Sequence, residues 1–402
     1  MPRSLSEPFA NHLTPGAPAF ALLGGFEAFV RGTVLSVFPL LLYRAFGDAS
    51  LVSRLYFIVG LCSLCSVLLT PLMARKLGRS TVMAGGIALY LLAAAFGMIG
   101  GSATAAAVLC NAIAAAVVLV CYNAYVLDFI DKTQLSRLEA RRLLYSGLGW
   151  TVGPVLGVWL MKLWDGAPFL VTGTAAAAML GLFLRINPGP GRVIQQATRR
   201  SASPLVLLRR FLGQPRLVSG WLFTLTRSCA WWVFFVYVGI FAVERGLPEI
   251  VGGLSASLAN GGLFIAPLMQ RWIQRHSVRA AVRLGFLGGA LCFLLAAGLA
   301  HWPWASIAVL LAGTLALVLL DVSGGLPFLM AVKPSERVEM SAIYSSFRDV
   351  SGILTPGIAW AILRWSDIPA IFAITGVAMI ATWMVAGQLH PRLGTRRGVR
   401  AV

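Results

Sequence analysis

Six charged side chains fall in the middle of long apolar runs: Glu27, Arg31, Arg227, Asp321, Arg348 and Asp349. A charge at the centre of a spanning helix costs ~2.5–3.5 kcal/mol on insertion scales, so each needs a partner or a water-filled cavity. Their types suit two chemistries. Arginine stays charged and offers planar, bidentate donors, which fits capture of a phosphate or a carboxylate. A carboxylate held in the same surroundings can take up and release a proton. Glu27 and Arg31 are spaced i, i+4 and share a helix face, where they can pair. Arg227 has no carboxylate within a turn of its own segment and must look across to another one. Trp231 follows it at i+4, so its ring can stack on the guanidinium or on a substrate.

Asp321 stands just before Gly324-Gly325-Leu326-Pro327, a stretch able to loosen a helix. With Glu27 held by Arg31, Asp321 is the less obviously paired carboxylate and the first candidate for a coupling proton, with Glu27 as its competitor. Arg348 and Asp349 are neighbours whose side chains diverge by about 100° on a helix, so they do not pair face to face; they tune a charge network or a gate. Asn111, Tyr122 and Asn123 are candidate polar residues of a cavity, or equally helix-to-helix hydrogen bonders. Asp128, and Asp131 beside Lys132, are expected near a membrane surface as caps or loop salt bridges.

Catalytic motifs are missing from the sequence. Neither a P-loop nor G-x-S-x-G occurs, and His12, His276, His301 and His390 lie in tails or at loop edges. All six cysteines sit in apolar runs, and Cys62-x-x-Cys65 has no further Cys or His placed to complete a zinc site. The chain is therefore expected to be no enzyme and to carry no cofactor or metal. Work must come from an ion or counter-substrate gradient.

The elements that position these residues are membrane helices. Of 402 residues 58% are hydrophobic and 12% charged, and the mean hydropathy is +0.82, which leaves too little polar surface for a soluble protein. At ~20 apolar residues per crossing of a roughly 30 Å hydrocarbon core, the chain has room for about twelve spans. Apolar runs at 17–42, 51–74, 81–101, 104–128, 143–163, 168–186, 217–243, 250–270, 281–300, 305–331, 339–364 and 369–388 supply them, and predict an all-α, polytopic membrane protein.

Lys and Arg outnumber Asp and Glu by 33 to 14. Arg44, Arg54, Lys162, Arg245 and Arg364 fall on one face of this arrangement, Arg31, Arg227 and Arg348 inside helices, and all the other basic residues on the opposite face. That asymmetry predicts both termini in the cytoplasm, and the compactness of the chain, with no extensions, leads to the expectation of a bacterial inner membrane. Basic residues in short loops beside spans also exclude nucleic acid as a partner and leave the lipid bilayer as the counterpart of the charge. Trp164, Trp302, Trp304 and Trp365 at loop edges form an aromatic belt.

A cytoplasmic segment at 1–16, a bundle at 17–186, a basic linker at 187–216, a second bundle at 217–388 and a cytoplasmic tail at 389–402 follow, in a protein expected to be monomeric. The two bundles are related in sequence. Pro71-Leu72-Met73-Ala74-Arg75 closes the second span and Pro267-Leu268-Met269-Gln270-Arg271 the eighth, and the same offset carries Arg31 onto Arg227.

Two six-helix bundles with a basic central linker resemble the major facilitator superfamily over essentially the whole chain. Leu77-Gly78-Arg79 is similar to the family's glycine-then-arginine turn after the second helix. Arg75 stands where that motif usually has an aspartate, and Pro71 where it usually has a glycine, so the gating role of that acid does not carry over. Gly149-x3-Gly153-Pro154-x2-Gly157 in the fifth helix resembles the glycine-proline motif of the family's antiporters; glycines so spaced also simply let two helices approach closely. The resemblance implies that the first and seventh helices face each other across a central cavity, bringing Arg31 and Arg227 together. That arrangement is similar to the organophosphate:phosphate exchangers of the superfamily.

The function expected from this is secondary transport of a small or amphipathic organic anion by alternating access, proton-coupled or by exchange. Arg31 and Arg227 bind the anion with Trp231, Tyr122 and Asn123 nearby, and Asp321 or Glu27 carries the proton. Arg348, Asp349, Asp128, Arg75 and Arg79 serve gating or the charge network. One alternative keeps the fold and makes it a proton-driven drug or metabolite efflux antiporter, in which the arginines only hold acidic partners. Another is a non-transporting receptor or assembly factor on the same scaffold.

Overall fold

The computed structural model describes residues 17–130, 135–186, 204–333 and 336–390. Segment 1–16, the first part of the expected linker at 187–203, the tail beyond residue 390, Asp131 and Lys132 lie outside them.

The first crossing is α1 (Ala17–Val34) continued by α2 (Val37–Phe46) across a one-turn irregularity at Leu35 and Ser36. Then come α3 (Ala49–Leu77) and α4 (Arg79–Ile99), separated only by Gly78 at φ 86°, a left-handed value that lets the chain reverse within one residue. Asp48 caps α3, its carboxylate accepting from the Ser50 backbone N–H at 2.7 Å. The N-terminal set is completed by α5 (Ala103–Phe129), α6 (Leu135–Met161) and α7 (Ala167–Ile186).

A short amphipathic α8 (Pro204–Leu212) follows, inside the stretch expected to be linker. It is ordered because Phe211 is buried against Phe328, at 6.5 Å between ring centroids. The C-terminal set runs through α9 (Pro215–Glu244), α10 (Ile250–Gly261), one 3-10 turn at Gly262–Ile265, α11 (Ala266–Arg275), α12 (Val278–Gly298) and α13 (Pro303–Ser323). It closes with α14 (Leu326–Ala331), α15 (Arg337–Ser345), α16 (Phe347–Ile362) and α17 (Ile368–Ala386). The break between α13 and α14 falls at Gly324 and Gly325, directly after Asp321.

Among the described residues, eleven helices are long and apolar enough to cross a membrane. The stretch predicted as a span at 339–364 is not one of them. It is divided into α15 and α16 at Ser346, and Arg348 and Asp349 interrupt its apolar run. It nevertheless packs on α3 and α9 within the bundle.

Two large apolar cores organise the chain, with a smaller one around Phe211, Leu217, Phe328 and Met340. One lies inside the N-terminal set around Phe20, Tyr90, Tyr125, Met179 and Phe183. The larger runs from Val34–Leu42 through Phe234–Phe241 into α12, α13 and α17, and so joins the two sets. The joining contacts lie toward the end of the molecule where α2 stops and α3 starts, here called the far end. There Ser53 and Tyr237 share a hydrogen bond at 2.8 Å, the Tyr56 and Trp232 rings meet edge to face at 5.8 Å, and Phe57 stacks on Trp360 at 6.2 Å.

The glycine-proline motif builds much of this seam. Gly149, Gly153 and Gly157 set α6 directly against the backbone of the first crossing. A Cβ on Gly153 would lie 2.6 Å from the Gly32 carbonyl carbon, and one on Gly157 would lie 2.0 Å from the Thr33 oxygen. On the other side of α6, the Val155 N–H donates to the Ser257 hydroxyl of α10 at 3.0 Å, next to Pro154. Gly253 of α10 abuts the Pro154 carbonyl; a Cβ there would meet its oxygen at 2.9 Å. The motif thus packs α6 between two elements from opposite sets.

Candidate functional site

The intramembrane charges form two ion pairs of different reach. Arg31 donates to Glu27 at 3.0 Å, one turn back on α1. The Tyr90 hydroxyl of α4 also donates to Glu27, at 3.4 Å. The Arg31 guanidinium lies 5.2 Å from the Trp150 ring centroid on α6, a cation–π contact the sequence did not signal.

Arg227 on α9 finds its carboxylate on α13, at 2.9 Å from Asp321. Trp231 donates its indole N–H to the second Asp321 oxygen at 3.0 Å, and its ring stacks on Phe235 at 5.1 Å. Two expectations are corrected here. Asp321 is not the unpaired carboxylate, because α13 lies against α9, and α9 supplies two donors to it. Trp231 does not stack on Arg227; the indole is turned toward Asp321, and the ring beside Arg227 is Phe347, at 5.6 Å.

All four groups reach solvent: side-chain exposures are 35% and 17% for Arg31 and Glu27, and 14% and 26% for Arg227 and Asp321. The far end is sealed by the aromatic seam and by Arg44, which bridges to Asp165 at 2.8 Å and to Glu249. The opposite end of the molecule, where α3 passes into α4 at Gly78, is the near end. Arg227 keeps a buried Nε–H without a partner, so its pair with Asp321 leaves donor capacity unused.

Arg348 stands apart from both pairs. It is exposed, and no carboxylate among the described residues lies within ion-pair distance of it. Its guanidinium sits 5.6 Å from the same Phe347 ring that Arg227 touches, and it is repelled by the charges of Arg227 and Arg31. Asp349 makes no ion pair either among the described residues, in line with its different helix face.

Tyr122 is buried and donates to the Phe20 carbonyl at 2.9 Å, tying α5 to α1. With Gly24, Glu27, Arg142 and Ser146 it lines a cavity of about 50 Å³ beside Glu27. Asn123 is exposed and joins neither arginine pair. Asp128, one residue from the end of α5, makes a salt bridge as expected: it pairs with Arg79, the first residue of α4, and the two side chains are 1% and 7% exposed, with the guanidinium 5.2 Å from the Tyr125 ring. Arg75 is exposed and unpaired among the described residues.

A bundle of this kind, with charged pairs at mid-height and one end sealed, is the geometry of an alternating-access carrier. The family model of the major facilitator superfamily matches residues 20–356. The chain belongs to that superfamily. It superposes on the nucleoside transporter NupG with a TM-score of 0.71 at 12% identity, covering 93% of this chain and 99% of that one. A POT family transporter in complex with 5-aminolevulinic acid gives a TM-score of 0.73 at 12% identity, over 92% of this chain and 94% of that one. No curated protein matches in sequence. This major facilitator is a multi-pass integral membrane protein and a secondary transporter.

Proposed function

We propose that this transporter moves an organic anion, coupled to protons or to a counter-anion, with both termini in the cytoplasm of a bacterium and the near end facing inward. The observation that carries the reading is Arg227: a mid-membrane guanidinium, reachable by solvent, with one donor edge on Asp321 and a buried Nε–H still free. A carboxylate or phosphate that approaches Arg227 competes with Asp321 for the same charge. A proton taken up by Asp321 releases the guanidinium to the substrate, which links proton and anion without any further machinery. Asp321 is better placed for this than Glu27. Its partner is on another helix and it sits just before the α13 break, whereas Glu27 and Arg31 share one face of α1 and stay together however the helices move.

The competing reading is proton-driven efflux, in which the arginines only hold their acids; it draws support from both arginines being paired in the absence of substrate. The test is thermal stabilisation of the purified protein by organic anions, organic cations and neutral lipophiles, repeated with Arg31→Ala and Arg227→Ala. Bound ligand raises the melting temperature by mass action. Shifts with phosphates or carboxylates that vanish in both variants support the anion site. Shifts confined to cations or lipophiles and surviving in the variants overturn it.

A further inference from the structure

Of the three arginines in the middle of apolar runs, Arg31, Arg227 and Arg348, two own a carboxylate among the described residues. Arg31 is engaged by Glu27 at 3.0 Å and Arg227 by Asp321 at 2.9 Å. Arg348 has no ion pair and no side-chain hydrogen bond among the described residues, although Asp349 is its chain neighbour. Its backbone is held on both sides. Ser351, one residue short of a helical turn later, shares a hydrogen bond with Ser228 of α9 at 2.7 Å. Ser346, two residues earlier, accepts from the Trp221 indole at 3.3 Å.

Phe347 fixes where the side chain goes. This ring is buried, and the guanidiniums of Arg227 and Arg348 each lie 5.6 Å from its centroid. The ring keeps Arg348 beside the Arg227–Asp321 pair, while the repulsion among the three cations keeps it from joining that pair. A charge left so in a membrane protein is tolerated only where it faces water or a ligand, and Arg348 is exposed.

We propose that Arg348 is the residue that first receives the substrate's oxyanion group, a carboxylate or a phosphate monoester, and that Arg227 becomes the second donor when Asp321 gives it up. This assignment rests on the anion-transport reading above and adds a residue from α16 to the site. It also gives the order of events: an unpaired, solvent-facing cation captures the ligand before any existing ion pair has to break. Loss of Arg348 removes the landing point yet leaves both pairs intact.

The experiment is calorimetric titration of the full-length protein in lipid nanodiscs with benzoate, phenyl phosphate and tetraphenylphosphonium, for wild type, Arg348→Gln, Arg348→Lys and Arg227→Gln. Wild type is expected to bind benzoate or phenyl phosphate. Arg348→Gln should weaken that binding by about tenfold or more, the loss of a charge-assisted, bidentate contact. Arg348→Lys should recover part of it, since lysine restores the charge without the fork. The unliganded melting temperature should match wild type in both Arg348 variants. Arg348→Gln binding the oxyanion within twofold of wild type, while Arg227→Gln loses it, overturns this assignment and leaves the anion reading standing. Wild type binding only tetraphenylphosphonium overturns both.

Discussion

Arg44 and Glu249, 205 positions apart, are joined by an ion pair that ties α2 to the start of α10 at the far end of the molecule. Asp165, from the connection between α6 and α7, takes the other edge of the same guanidinium at 2.8 Å. One arginine from the first crossing thus bridges both sets of helices where they are closed. Rigid rocking of one set against the other must break the Glu249 contact, while the seam of Ser53, Tyr56 and Phe57 opens below it.

Arg44→Gln is therefore expected to favour the far-open state. The three side chains are 39%, 60% and 24% exposed, so each pair contributes ~0.2–1 kcal/mol and the two-state balance shifts by roughly a few-fold. Distances between spin labels placed at residues 47 and 246 would show it as a larger long-distance population in the variant. Identical distributions would remove the bridge from the gating mechanism.

The glycine row of α6 makes a second prediction. Gly157→Ala puts a methyl where the Thr33 carbonyl oxygen already is, 2.0 Å away. Overpacking of that kind costs about 1–3 kcal/mol. Gly181→Ala on α7 is the control, because a Cβ there meets nothing within 4 Å. The melting temperature in detergent should fall for the first and hold or rise slightly for the second. Equal behaviour would mean that α6 is free to move off the first crossing.

The buried pair of Arg79 and Asp128 makes a third. Removing one partner of a buried pair costs ~3–5 kcal/mol, because the other charge is left without compensation. Asp128→Asn should therefore destabilise strongly, as Asp128 is the carboxylate paired with Arg79. Arg75→Gln, on an exposed residue unpaired among the described ones, should leave stability unchanged. Thermal unfolding of the two variants side by side decides it; a large loss for Arg75→Gln would show that this arginine has a partner in another conformational state.

What the sequence revealed and what it hid follow one physical line. Glu27 and Arg31 were legible as a pair because their contact is fixed by the pitch of one helix. The spans were legible because a bilayer requires long apolar runs, and the interruption after Asp321 because Gly324 and Gly325 announce it. Contacts between helices carry no such local signature. The Arg227 partner, the Phe347 ring between two guanidiniums, and the Arg44 bridge all depend on which helix faces which. Asp128 was legible as a salt-bridge partner at a helix end, but its cover by the neighbouring helix was not. The repeat placed Arg31 and Arg227 in matching positions, yet their carboxylates come from different places, one turn away in α1 and across to α13 for α9.

That asymmetry yields the last prediction. Arg227→Gln should lower stability because it strands the Asp321 carboxylate, which keeps only the Trp231 N–H. With partial exposure of both groups, the loss should fall below the ~3–5 kcal/mol of a fully buried pair. The double variant Arg227→Gln/Asp321→Asn removes both charges and leaves neutral amides at the two positions, so stability should return toward wild type. Transport should not return, since neither the anion donor nor the proton acceptor is present. Paired measurements of melting temperature and of substrate flux in proteoliposomes separate the two roles. A double variant as unstable as Arg227→Gln alone would mean that the arginine is needed for packing against Phe347 and not for its charge; one that still transports would exclude the pair from coupling.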